Sequence, residues 1–476
     1  MTRSLLFTVL ALLATRALAE LPPALSASLQ SRGLPDSAVG LIVQRVSDGA
    51  TVLAHGADQS LQPASTMKVL TGWAALERLG PAYRGRTELR SIVPVANGVL
   101  NGDLTLRGLG DLDLDWRAFE RMLQRVRHAG LREIRGDFHI DRTWLEPARP
   151  DMGVPPFDES PEFRYNVIPD ALLLNANLVE IDLDSDDRVV RAHLVSPLDR
   201  VKLVSKMTLV DRKCADWEDG WKIPEVHREG KTLVVTVHGE YPRRCSASTA
   251  VNVLDRVQFA DRMFRALWKR LGGTFHGRTY EGRLEHAPEL LASHRSRPLN
   301  QLVHDLNKIS DNPTARVLYL TMGALSSRAG ETTNRRAELE VRELLDRHGI
   351  PQAGLVLDNG SGLSREERLT PQLLAGVLRA ASAGSWAPEF AASLPIAAVD
   401  GTMRNRLKES PVASRARLKT GTLRDVSGLA GYMTDAAGTL YTVVILLNDP
   451  LARRQVARPI LDEYVDWIAR NVGTAR

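Results

Sequence analysis

The chain has 476 residues, 43% hydrophobic and 25% charged, ordinary values for a globular protein with a real core, and a length that allows about two to four domains. Its formal charge of +5 includes Arg3 and Arg16 near the N-terminus, and the other charges are scattered. No Lys/Arg block or aromatic-interleaved basic strip argues for nucleic acid. The eleven histidines show no metal-ligand spacing, so neither a metal nor another cofactor is implied.

Residues 1–19 read as a secretory signal peptide. Arg3 supplies the positive start, Leu5 to Ala14 the apolar centre and Ala17-Leu18-Ala19 the small-residue cleavage site. The apolar centre is too short to span a bilayer, and no later segment reads as a transmembrane anchor. An exported, periplasmic protein is expected, and peripheral association with the envelope is compatible with it. Residues 38–54 read as a hairpin around Ser47-Asp48-Gly49. A helix follows, its apolar positions Val69, Leu70, Trp73, Ala74 and Leu76 ending at Gly80-Pro81. Ser65 and Lys68 stand three apart at its start, on one face and one turn apart. Their hydroxyl and amine can share a proton, and the helix N-terminus favours a developing oxyanion there.

From about residue 84 the character changes. Leu104 to Leu106 alternates like a strand, Trp116 to Ala129 is helical and Ile134 to Ile140 is strand-like. A proline-rich connector spans Pro147 to Pro169, and 178–240 carries short alternating strands. Asp111-x-Asp113-x-Asp115 has the beginning of a calcium loop. Trp116 takes the place of its sharp-turn glycine and Met122 that of its glutamate, so these acids read as caps of the following helix. The two cysteines, Cys214 and Cys245, read either as a disulfide, which export permits, or as two buried thiols. Helical spacing returns at Val257 to Leu271, 299–325 and 334–348. Gly360-Ser361-Gly362 reads as a flexible turn, lacking the glycine pattern of a nucleophile elbow. Three antiparallel strands, Ser414 to Lys419, Gly428 to Thr434 and Tyr441 to Asn448, precede a final helix from Val456 to Asn471.

Two further pieces join Ser65-Thr66-Met67-Lys68: Ser310-Asp311-Asn312 in a polar turn and Lys419-Thr420-Gly421 on a strand. Each alone is weak. In this order and this local structure they form the set that marks penicillin-binding proteins and serine β-lactamases. The chain resembles the class C low-molecular-mass penicillin-binding proteins, the D-alanyl-D-alanine carboxypeptidase/endopeptidase family. The stretches that carry the resemblance are PASTMKVLTGWAAL (63–76), NKISDN (307–312), DNGSGLSR (358–365), LPIAAVDGTMRNRL (394–407) and LKTGTLRDVSGLAGY (418–432). It is thinner in VLNGDLTLRGLGDLDL (99–114), GDFHIDRTWL (136–145) and NVIPDALLLNAN (166–177), and Gly110-Asp111-Leu112 departs from the family's Gly-Asp-Pro.

The resemblance implies an α/β (α+β) fold of the β-lactamase/DD-peptidase type: a catalytic domain (20–85 and 295–476) with an antiparallel five-stranded sheet flanked by helices. Two nested domains interrupt it, an α/β domain (86–177 and 250–294) and a β-rich one (178–249). It implies Ser65 as the acylated nucleophile, Lys68 as proton acceptor, Ser310 as relay to the leaving amine and Asn312 as holder of the substrate amide. Lys419 would offer a charge to the substrate's terminal carboxylate and, together with burial, lower the pKa of Lys68. Gly421 leaves room for a peptide along the strand edge, beside Thr420. The backbone N–H groups of Ser65 and Thr422 would form the oxyanion hole. The substrates would be peptidoglycan stem peptides, with β-lactams as covalent inhibitors. Two other readings are a serine β-lactamase and a non-catalytic wall-binding or sensor module. A lactamase with Ser-Asp-Asn needs a Glu-x-x-x-Asn between the second and third motifs, and none lies between Asn312 and Lys419. The binding module would not demand both lysines and Ser310. A labelled penicillin is therefore expected to stay on the protein; label that leaves Ser65 within seconds would favour the lactamase.

Overall fold

The computed structural model describes residues 20–148, 162–283 and 288–472; the stretch 1–19 that reads as a signal peptide and much of the proline-rich connector lie outside them. The chain divides into two compact units, one made of the segments up to Tyr83 and from Pro298 onward, the other Arg84–Arg297.

In the first unit the N-terminal hairpin, β1 (Val39–Arg45) and β2 (Thr51–His55), joins three C-terminal strands, β3 (Ala416–Leu423), β4 (Val426–Thr434) and β5 (Leu440–Asn448). The sheet runs β3-β4-β5-β1-β2 and is antiparallel throughout. Residues 426–433 and 441–447 are buried without alternation, which requires cover on both faces. On one face α1 (Pro23–Gln30) and the terminal helix 454–471 bury Leu25, Leu29, Leu461, Tyr464 and Ile468 against Leu41, Leu429, Val443 and Ile445. On the other lies α2 (Met67–Leu79), all buried from Met67 to Leu76. With it are α3 (Leu299–Lys308), α4 (Asn312–Ala324), α5 (Thr333–Arg347), α6 (Pro371–Ala383) and α7 (Ala387–Ser393), followed in the chain by the terminal helix, α8 (Arg454–Asn471). The helical stretch 299–325 is broken between α3 and α4 at the expected polar turn Ser310-Asp311-Asn312, where Ser310 adopts a left-handed φ of 62°.

The second unit has a five-stranded mixed sheet, in which Phe138–Asp141 runs parallel to Leu104–Leu109. The helices Trp116–His128 and Arg256–Arg270 share its core. Phe138 stacks on Phe264 at 4.2 Å. Asp115 caps its helix by accepting from the Ala118 N–H at 2.6 Å. The sequence 134–140 is not one strand: Glu133–Ile134 and Phe138–Asp141 belong to different sheets. Gly136, between them, passes so close to Gly102 that a Cβ would lie 2.3 Å from its backbone. The strands of 178–249 share one buried cluster with the rest of the unit, and the sulfurs of Cys214 and Cys245 lie 2.05 Å apart, in a disulfide.

Leu429 is fully buried on β4, the second strand of the sheet. Leu429→Ala is expected to cost about 2–5 kcal/mol, read as a lowered urea midpoint for loss of penicillin labelling.

Candidate active site

The chain reaches Ser65 through Ala64, a non-glycine residue at φ 46°, and a short 3₁₀ turn, Ala64–Thr66, that runs into α2. The Thr66 hydroxyl donates to the Pro63 carbonyl at 2.6 Å and closes the turn. One turn along, Lys68 is fully buried. Its Nζ lies 2.8 Å from Ser65 Oγ, 2.6 Å from Asn312 Oδ1 and 2.6 Å from the Ser361 carbonyl oxygen. Asn312 begins α4, whose N-cap Asp311 accepts from the Thr314 N–H.

The strand β3 supplies the facing wall. Lys419, also fully buried, donates to Ser310 Oγ at 2.9 Å and to the Thr420 carbonyl at 2.7 Å. A Cβ on Gly421 would come within 2.8 Å of the Pro63 carbonyl oxygen and 3.1 Å of the Ser65 nitrogen. Only glycine lets this strand lie against the serine turn. Thr420 and Thr402 join their hydroxyls at 2.9 Å, and the Thr422 hydroxyl donates to the Gly421 carbonyl at 2.8 Å. Ser65, Ser310, Thr420, Gly421 and Thr422 line one open cavity of about 250 Å³.

Burial pulls the Lys68 pKa down to about 7, against the opposing pull of the Glu367 and Asp311 carboxylates. The help expected from Lys419 is not what lowers it. The influence runs the other way: burial first, then Lys68, holds Lys419 well below the ordinary lysine range. A neutral Lys68 amine has two N–H donors and one lone pair. The Asn312 and Ser361 oxygens can only accept, so they take the two N–H groups and leave the lone pair facing the Ser65 hydroxyl.

The expected flexible turn at Gly360-Ser361-Gly362 is a buried support. All three residues are buried, and a Cβ on Gly362 would fall 1.7 Å from the Ala64 carbonyl oxygen. Glu367, fully buried, accepts from the N–H groups of Asn359, Gly360 and Gly362 at 3.0, 2.6 and 2.7 Å. Burial raises its pKa to about 7 against those three donors. Sequence reading found neither the Ser361 carbonyl nor Glu367. The two glycines were the available signal; Glu367, five residues on and beside Glu366, carries none. Thr402 was also missed. It rides on the loop 394–407, which Lys308 ties down by donating to Asp400 at 2.6 Å and to the Leu394 carbonyl at 2.7 Å. Cys214 and Cys245 belong to the other unit. Among the described residues no cluster of His, Cys, Asp and Glu could hold a metal ion.

An antiparallel five-stranded sheet flanked by helices, with a buried lysine on a serine at a helix start, defines a protein of the DD-peptidase-like, active-serine class. The chain belongs to the D-Ala-D-Ala carboxypeptidase 3 (S13) family, whose model matches residues 21–471. It is 29% identical over 436 residues to a D-alanyl-D-alanine carboxypeptidase of an Actinomadura species, covering 89% of this chain and 80% of that one. The fold is similar to that of penicillin-binding protein 4 of Haemophilus influenzae, with a TM-score of 0.75 and 24% identity over 90% of this chain and 96% of that one. The same protein complexed with a β-lactam superposes with a TM-score of 0.71, at 23% identity and the same coverage.

A guanidinium stays protonated at any working pH. Lys68→Arg is therefore expected to slow penicillin labelling by about 10²–10⁴-fold, the usual worth of a positioned base. Labelling within a fewfold of wild type, timed by gel fluorography, would remove Lys68 from that role.

Proposed function

We propose that the chain is a serine DD-peptidase acting on peptidoglycan stem peptides that end in, or are crosslinked through, D-alanine. The observation that carries this reading is the Lys68 amine, buried and 2.8 Å from Ser65 Oγ. The neutral amine takes the hydroxyl proton as Oγ attacks the carbonyl of the penultimate D-alanine. The N–H groups of Ser65 and Thr422 receive the oxyanion, a donor pair of which each member is worth roughly 10²–10³ in rate. Ser310, held by Lys419 at 2.9 Å, passes a proton to the leaving amine, and the C–N bond breaks. Water then hydrolyses the Ser65 ester and restores the free serine. Asn312 holds Lys68 in line and faces the substrate amide. A β-lactam enters by the same attack; its opened ring leaves no departing amine, and the adduct persists.

Export is part of the same proposal. The substrate lies outside the cytoplasmic membrane, residues 1–19 have the pattern of a cleaved leader, and among the described residues no helix is long and apolar enough to cross a membrane.

The test is mass spectrometry of products from a crosslinked muropeptide carrying pentapeptide stems. Release of D-alanine, separation of the crosslink, or both is expected from wild type and neither from Ser65→Ala. No product from the wild-type protein, with penicillin still bound, would favour a binding module.

A further inference from the structure

Glu367 has no exposed surface, and the reaction above gives it no part. Its carboxylate stands behind the base, one peptide group away. Oε1 accepts from the N–H groups of Asn359 and Gly360, and Oε2 accepts from that of Gly362 at 2.7 Å. The Gly362 N–H and the Ser361 carbonyl belong to one planar peptide unit. That carbonyl accepts from Lys68 Nζ at 2.6 Å. The carboxylate and the amine therefore hold opposite ends of the same dipole. A negative charge at its N–H end makes its oxygen a stronger acceptor. The preceding peptide unit lies the same way round. The Thr71 hydroxyl of α2 donates to the Gly360 carbonyl at 2.6 Å, and the Ser361 N–H donates to Asn359 Oδ1 at 3.0 Å. The loop thus turns two carbonyls toward α2 and its N–H groups toward Glu367 and Asn359.

Charged and titratable groups face this pair from the elements around it. On the Lys68 side, the carboxylates of Glu367 and of Asp311, the N-cap of α4, favour the ammonium, and Glu367 has the larger pull. Lys419 on β3 is itself held down by burial and by Lys68. On the Glu367 side, Asp358 in its own loop opposes ionisation. Tyr319 on α4, raised well above the ordinary tyrosine range by burial, stays neutral. We propose that Glu367 is a positioning residue for the attack step: through the 361–362 peptide it aims Lys68 at Ser65, and its charge sets the pH above which the amine is free to act. This inference rests on the reading of Lys68 as the base and deepens it. A carboxylate favours the ammonium form, so removing it lets Lys68 lose its proton at lower pH. Loosening of the loop alone does the reverse, because water reaching Lys68 returns it toward the ordinary lysine value.

The experiment measures the rate at which a labelled penicillin acylates Ser65, as a function of pH across the neutral range, in wild type, Glu367→Gln and Glu367→Asp. Wild type is expected to gain rate as pH rises through the Lys68 midpoint. In Glu367→Gln the midpoint should move down by about 1 unit, and the rate above it should fall, because the amide carries no charge and cannot accept at all three N–H groups. Glu367→Asp, which keeps the charge on a shorter arm, should hold the midpoint near that of wild type while losing rate. A midpoint unmoved or raised in Glu367→Gln overturns the inference. Should that variant not fold, the reciprocal measurement decides: removal of the ammonium in Lys68→Met should raise the midpoint of the Glu367 carboxyl carbon followed by ¹³C NMR, and an unchanged midpoint overturns the inference. A wild-type rate that does not rise across the neutral range overturns the reading of Lys68 as the base, and the inference with it. The predicted shifts in a protein that cleaves no stem peptide would support the inference and overturn only the DD-peptidase reading.

Discussion

Lys68 Nζ, with no exposed surface, touches three oxygens at 2.6–2.8 Å, and those contacts constrain everything around it. An ammonium buried so deeply must be compensated by hydrogen bonds or give up its proton. The site sits near that balance. The Glu367 and Asp311 carboxylates favour the charged form and burial opposes it, leaving a pKa of about 7. Each acceptor arrives on a different element: Ser65 on the turn before α2, Asn312 at the start of α4, and Ser361 on a loop closed by Glu367. The base is thus tuned by the fold's ability to bring three pieces of backbone to one point.

That convergence is achieved at backbone contact distance, which explains where the unusual conformations fall. Ala64 and Ser310 hold positive φ, a cost of order 1–3 kcal/mol each for non-glycine residues. Gly421 and Gly362 approach the serine turn from its two sides, and a Cβ on either would strike its backbone. Glu367 secures one approach through three N–H groups, and the Thr420–Thr402 contact ties β3 to the loop 394–407. The covered sheet behind them gives this arrangement a rigid support.

Much of this was legible because it is local. Ser65 and Lys68 share a helix face by their spacing, Gly80 ends α2 at φ 75°, and the hairpin about Asp48 and the closing strands follow apolar alternation and turn residues. The three short motifs carried the family because each sits in its own local structure. What stayed hidden depends on distant partners. The Ser361 carbonyl is a backbone atom with no side-chain signature, and Glu367 becomes important only when burial and three N–H groups surround it. The division of 134–140 depends on the meeting of Gly136 with Gly102.

The most direct test of the account is the protonation state of Lys68 in the free enzyme. Protein labelled with ¹⁵N at the lysine side chains, titrated by NMR and assigned by the resonance missing from Lys68→Arg, would report it. The account predicts a midpoint at about 7, with the neutral amine gaining population as pH rises through it. A midpoint near the ordinary lysine value of 10.5 would mean that the amine is a fixed ammonium, and would contradict its role as the base that activates Ser65.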